Sequence, residues 1–195
     1  RADREAPELL RAAGRVGALA AVRIVDAEDN DCPVGVAGEI VVRGDQVLAG
    51  YWNRPEANAE AFRGGWFHTG DVARMDDEGF VYIVDRKKDM IVSGGENVYP
   101  REVEEVLFQH PAVAEAAVFG LPDTHWGERV SAAIVLRPEA RVEPAELDAF
   151  CRGRLAGYKR PRDWHVVSEI PKNVSGKVLK RELRERFGPA GEALK

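Results

Sequence analysis

Two short early runs are rich in β-forming apolar residues, Ala21-Val22-Arg23-Ile24-Val25 and Gly38-Glu39-Ile40-Val41-Val42-Arg43, with the turn-rich Asp29-Asn30-Asp31-Cys32-Pro33 between them. That pattern predicts a pair of antiparallel strands. Pro55 is placed to open a short helix through Ala57, Ala61 and Phe62. Trp66-Phe67 then leads into a second strand pair around the turn Asp76-Asp77-Glu78-Gly79, whose second run is Phe80-Val81-Tyr82-Ile83-Val84. The charged stretch Asp85-Arg86-Lys87-Lys88-Asp89 follows and predicts a domain boundary.

Beyond it the apolar period changes. Pro100 starts a helix that gathers Val103, Val106 and Leu107 on one face and stops at His110-Pro111. Strand-like runs over residues 113–119 and 130–136 flank an expected loop over residues 120–128. A second helix begins at Pro144, with Leu147, Phe150, Cys151 and Leu155 at helical spacing, and Trp164-His165-Val166-Val167 reads as a further strand. A last helix aligns Leu179, Leu183 and Phe187. The expected class is α+β: a β-rich unit over residues 1–85, a small α/β unit over residues 86–187, and a frayed tail over residues 188–195.

Composition narrows the partners. With 28 Lys and Arg against 33 Asp and Glu, the net charge of -5 disfavours broad binding to nucleic acid or to an anionic membrane. An anionic ligand must therefore meet a local cluster of cations. The two cysteines, Cys32 and Cys151, lie in unrelated contexts and suggest neither a disulfide framework nor a zinc site, which fits a reducing cytoplasm. No apolar run approaches the roughly 18 residues of a membrane span. The chain begins at Arg1, without methionine, in a polar segment of helical character (Asp3, Arg4, Glu5, Glu8, Leu9, Leu10), so a cut through a longer protein is expected.

Three segments carry candidate chemistry: Trp66-Phe67-His68-Thr69-Gly70-Asp71, Ser93-Gly94-Gly95-Glu96-Asn97-Val98-Tyr99-Pro100, and Pro171-Lys172-Asn173-Val174-Ser175-Gly176-Lys177. Singly they are unspecific. Thr-Gly-Asp is a turn former, and Ser-Gly-Gly-Glu-Asn reads as a loop. Lys177 falls in a run of six basic and two acidic residues between Lys172 and Arg186, which ordinarily marks a solvated face. Their order and spacing, joined to Gly50-Tyr51-Trp52-Asn53-Arg54-Pro55-Glu56, Val84-Asp85-Arg86-Lys87-Lys88-Asp89-Met90-Ile91 and Gly120-Leu121-Pro122-Asp123, resemble the closing motifs of the adenylate-forming superfamily. The likeness runs from about Gly14 to Phe187. The Gly-Gly segment is similar to the CoA-ligase branch, which implies the C-terminal portion of an AMP-forming acyl-CoA synthetase with a mobile cap.

In that family a carboxylate attacks the α-phosphate of ATP, giving an acyl-adenylate and pyrophosphate, and the thiol of CoA then displaces AMP. The resemblance implies Lys177 as the cation between carboxylate and α-phosphate, where a compact ammonium stabilises gathering negative charge. It implies Asp71 as acceptor for the ribose hydroxyls, Arg86 as a second nucleotide contact, and Lys88 as the hinge between half-reactions, a position where many CoA ligases carry aspartate. Gly94 and Gly95 would line the pantetheine channel. Trp126, Tyr158, Arg160 and Arg162 match positions that can meet the CoA nucleotide; the alternative, that the aromatics are packing residues and the arginines solvated, stays open. Acetylation of Lys177 by a lysine acetyltransferase would remove its charge.

The chain has no Ser/Thr/Gly-rich phosphate loop with a lysine and no Tyr-Gly-x-Thr-Glu segment of the kind that serves adenine and Mg2+, so both are expected upstream and the fragment alone is expected to be inactive. The acid (medium-chain, long-chain or aryl) is not legible. His68, His110, His125 and His165 show no ligand spacing or triad pattern, and no metal site is expected. Two rivals remain. One is a luciferase-like or other adenylate-forming enzyme; the other is a nucleic-acid-binding module using residues 172–186, which salt-dependent binding would reveal.

Overall fold

The computed structural model describes residues 11–17 and 19–189. The expected helical segment over residues 3–10 and the tail from residue 190 lie outside the described residues. The chain divides into two compact units, Arg1–Lys88 and Asp89–Lys195.

The first unit is an antiparallel sheet of five strands in the order β1-β5-β4-β3-β2. Its strands are β1 (Gly14–Arg15), β2 (Ala21–Val25), β3 (Gly38–Arg43), β4 (Phe67–Met75) and β5 (Phe80–Arg86). Both anticipated hairpins form, β2 with β3 and β4 with β5, while β1 is too short to show alternation and is recruited by β5. Ile24, Ala73 and Val81 are its buried cluster, joined by Ile40 and Met75. The helix α1 (Pro55–Ala61) buries no residue. It is instead tied back by Asn58, whose amide accepts from Tyr51 N at 2.7 Å and donates to Tyr51 O at 2.9 Å.

The second unit is built on β6 (Ile91–Ser93), β7 (Glu96–Val98), β8 (Val113–Asp123), β9 (Gly127–Leu136) and β10 (Asp163–Val166). The sheet runs β10-β9-β6-β7, with β8 also paired to β9, and only the β10–β9 ladder is parallel. The helices are α2 (Pro100–Phe108), α3 (Pro144–Arg152) and α4 (Lys180–Phe187). Alternate residues of β8 face opposite ways. Ala116 and Val118 join Val103, Leu107, Leu147 and Cys151 in one cluster, whereas Ala117, Phe119 and Leu121 join Ile170 and Leu183 in the other. A sheet covered on both faces reads as a continuous apolar run, which is why period-two alternation is weak in these strands.

Two expectations are corrected here. The loop placed at residues 120–128 is the end of a long hairpin, with Gly120↔Val130, Leu121↔Arg129, Pro122↔Glu128 and Asp123↔Gly127 in register. Gly120 and Pro122 look like loop residues, but Gly120 packs closely inside the ladder, where a Cβ would stand 2.6 Å from the Glu128 carboxylate and 3.1 Å from Ile91. Likewise Ser93-Gly94-Gly95-Glu96-Asn97 is a hairpin, with β6 and β7 joined by the two glycines at φ 62° and 85°. Paired left-handed residues are what a tight two-residue turn between right-twisted strands demands.

Candidate functional site

Each unit carries its own set of polar groups. In the first, Asp71 and Arg86 are direct partners across β4 and β5 and form an ion pair, with Arg86 Nε 2.7 Å from Asp71 Oδ1. Both side chains remain partly open to solvent. The ladder is irregular here, with a register shift just after Asp71, between Val72 and Ala73. Gly70 takes φ 71°, and Thr69 Oγ1 donates to Ile40 O at 2.8 Å while accepting from Asp71 N at 3.1 Å. A groove of about 450 Å3 passes Glu39, Thr69, Gly70, Arg86, Lys87 and Lys88. Lys88 lies in the 3-10 turn Lys87–Asp89, exposed, and no carboxylate among the described residues pairs with it.

Glu39 was not singled out from sequence. It is 6% exposed and accepts from Lys87 Nζ at 2.8 Å, His68 Nδ1 at 3.1 Å, Gly70 N at 3.2 Å and Arg63 Nη2 at 3.3 Å. Burial pushes its carboxyl up, but the hydrogen bonds from Lys87 and His68 and their charges outweigh this and hold it below the usual carboxylate range. A signal did exist. Glu39 shares its strand phase with the buried Val41, and an acid at an inward position requires partners.

In the second unit, Gly94, Trp126 and Arg162 are brought together. Gly94 N donates to Trp126 O at 2.8 Å, and a Cβ at Gly94 would meet the indole at 3.0 Å. The Arg162 guanidinium sits 3.9 Å from the Trp126 ring centroid, a cation–π contact. Asp123 sets the turn: the backbone N–H groups of Trp126 and then His125 hold its carboxyl below the usual range. Gly95 has open space where a side chain would be. Arg160 and Arg162 line a hollow of about 470 Å3 with Asp148, Arg152 and Trp164. Asp148 neutralises part of that charge, pairing with Arg160 at 2.6 Å and Arg152 at 2.8 Å. Tyr158 goes elsewhere, packing against the first apolar cluster of the unit.

Lys177 closes a tight turn that begins at Asn173. Asn173 Oδ1 accepts from Ser175 N at 3.0 Å, Ser175 Oγ at 2.8 Å and Lys177 N at 2.8 Å, while Asn173 N donates to Lys177 O at 2.9 Å. Asparagine at the start of a turn organises the backbone ahead of it in this way. Lys172 and Val178 form a β-bridge at the base, and Gly176 adopts φ 81°. The Lys177 side chain is exposed, and among the described residues no carboxylate pairs with it.

A β-rich unit followed by this α/β unit is the architecture of the adenylate-forming enzymes. Its match to o-succinylbenzoate CoA synthetase from Bacillus subtilis, in complex with an acyl-adenylate intermediate, has a TM-score of 0.84 at 42% identity and covers 94% of this chain and 37% of that one. The AMP-binding enzyme description matches residues 2–52 and that of the AMP-binding enzyme C-terminal domain residues 102–177, and the chain belongs to this family. Feruloyl-CoA synthase of an Amycolatopsis species is 48% identical over 181 residues, 93% of this chain and 37% of that protein. A long-chain-fatty-acid–CoA ligase of Bacillus subtilis is 53% identical over 148 residues, 76% of this chain and 26% of that protein. The chain thus spans roughly a third of the length of these relatives. Among the described residues no helix is long and apolar enough to cross a membrane, and no group of three or more His, Cys, Asp or Glu could hold a metal ion.

Proposed function

We propose that this chain is the C-terminal portion of an ATP-dependent carboxylic acid–CoA ligase, which forms an acyl-adenylate with release of pyrophosphate and then a thioester with CoA. The observation that carries the reading is the Lys177 ammonium, displayed on a turn braced by Asn173 with no carboxylate among the described residues to neutralise it. Where a carboxylate and an α-phosphate meet, two anions repel, and a positioned cation between them lowers the barrier by stabilising charge and alignment. Asp71 accepts the ribose hydroxyls through whichever oxygen Arg86 leaves open, and Arg86 lies beside the same sugar. The names of the relatives support a CoA ligase and differ in their acids, one aryl and one long-chain.

Gly94, Trp126 and Arg162 form the CoA-facing surface in this reading, with Arg160 beside Arg162. Gly95 leaves room for the pantetheine arm. Tyr158 acts through packing. The phosphate loop and the Mg2+ ligands lie in other parts of the ligase. The Lys177 amine is also open to a lysine acetyltransferase, and acetylation would abolish the cation that adenylation needs. A reducing cytoplasm suits the two free thiols, Cys32 and Cys151.

The test is acid-dependent exchange of labelled pyrophosphate into ATP. The full-length ligase is expected to support it without CoA, and the isolated 195-residue chain is expected to show none. Exchange by the isolated chain at the full-length rate would contradict placing the triphosphate contacts elsewhere.

A further inference from the structure

Glu39 stands one residue away from both members of the Asp71–Arg86 pair. Its Oε1 accepts from the backbone N–H of Gly70, which precedes Asp71, and its Oε2 accepts from the side chain of Lys87, which follows Arg86. Sheet pairing alone fixes this corner poorly. Register slips between Glu39 and Val41 on one side of β4 and between Val72 and Ala73 on the other, so the segment 69–72 lies where both ladders are irregular. Gly70 is also left-handed, and its N–H is taken by the Glu39 carboxylate. The same carboxylate is held in turn by His68 on β4 and by Arg63, which Asp29 grips through both oxygens at 2.9 and 3.0 Å. A buried acid with this many partners has little freedom to move, and it transmits that rigidity to what it holds.

We propose that Glu39 is a positioning residue for the nucleotide: it fixes the kink before Asp71 and the residue after Arg86, and so aims the carboxylate that reads the ribose. The inference rests on the reading of Asp71 as the ribose contact. It assigns Glu39 no contact with substrate. Its effect should therefore appear as weaker recognition of the sugar hydroxyls, over and above any change in stability.

The experiment compares kcat/KM for ATP and for 2′-deoxyATP in pyrophosphate exchange by the full-length ligase. Asp71→Ala calibrates it, because removing the acceptor should abolish most of the preference for ATP. Glu39→Asp keeps the charge that balances Lys87, His68 and Arg63, and so favours folding, but withdraws the carboxylate from Gly70 by one methylene. It should lower the preference for ATP about tenfold, as expected for misplacing one charged hydrogen bond, and should add nothing further in the Asp71→Ala background. Glu39→Gln, which keeps the size and loses the charge, should act in the same direction. If Asp71→Ala leaves the preference intact, the ribose reading fails and this inference falls with it. If Asp71→Ala removes the preference but folded Glu39→Asp retains it, the inference alone is overturned. Failure of both Glu39 variants to fold would also overturn it, because the carboxylate would then be a requirement of folding.

Discussion

Replacing Lys177 by alanine in the full-length ligase is expected to slow acyl-adenylate formation about a hundredfold to a thousandfold, the usual cost of losing one preorganised charge contact to a transition state. Thioester formation from a synthetic acyl-adenylate should continue at close to its normal rate. The division follows from the chemistry: the cation is useful only while carboxylate and α-phosphate are being joined. Stability should change little, since Lys177 is exposed and its turn is braced by Asn173 through backbone groups that the substitution leaves in place. Single-turnover assays of each half-reaction provide the check. Equal slowing of both steps in a folded variant would contradict separate roles for Lys177 and the Gly94–Trp126 face.

Lys88→Pro is the second substitution with a large expected effect. Lys88 is the exposed centre of a 3-10 turn and the last residue of the first unit. A charged side chain in water costs little in either of two backbone conformations, which suits a residue that absorbs a rotation. Proline fixes φ near -65° and restricts Lys87 before it, so the segment is held in one conformation. One half-reaction should then fall at least about tenfold further than the other. Which one falls reports the conformation that proline selects. Equal loss in both would argue that Lys88 is a simple linker residue.

Where strand runs were short and bounded by turn residues, the sequence was readable. Strands β2 to β5 and the turn at Asp76 follow directly from runs of β-forming residues set between turn residues. The helices α2 and α3 announce themselves through a proline at their first turn and apolar residues three and four apart. Strands β8 and β9 were harder to delimit because both faces are covered, so Gly120 and Pro122 read as a loop while they pair in a ladder. The Gly94-Gly95 hairpin was hidden by the brevity of β6 and β7, three residues each.

The candidate site shows the same limit. Asp71, Arg86, Lys88, Gly94, Gly95 and Lys177 come from a resemblance in motif order, which identifies the residues and leaves their supports unnamed. Glu39 supports Gly70 from 31 positions away. Asn173 lies inside the motif, yet its role depends on three hydrogen bonds to one oxygen that only a folded turn reveals. Arg162 over Trp126 is likewise a tertiary contact, made between segments that no spacing rule connects.

The central claim, that this chain serves an AMP-forming CoA ligase, is tested most directly by product stoichiometry. The full-length protein would be incubated with ATP, CoA, Mg2+ and a panel of aryl, medium-chain and long-chain acids, and its products separated by chromatography. The account predicts AMP, pyrophosphate and acyl-CoA in equal amounts with at least one acid. ADP and phosphate in place of AMP and pyrophosphate, or acyl-adenylate that CoA never consumes, would contradict it.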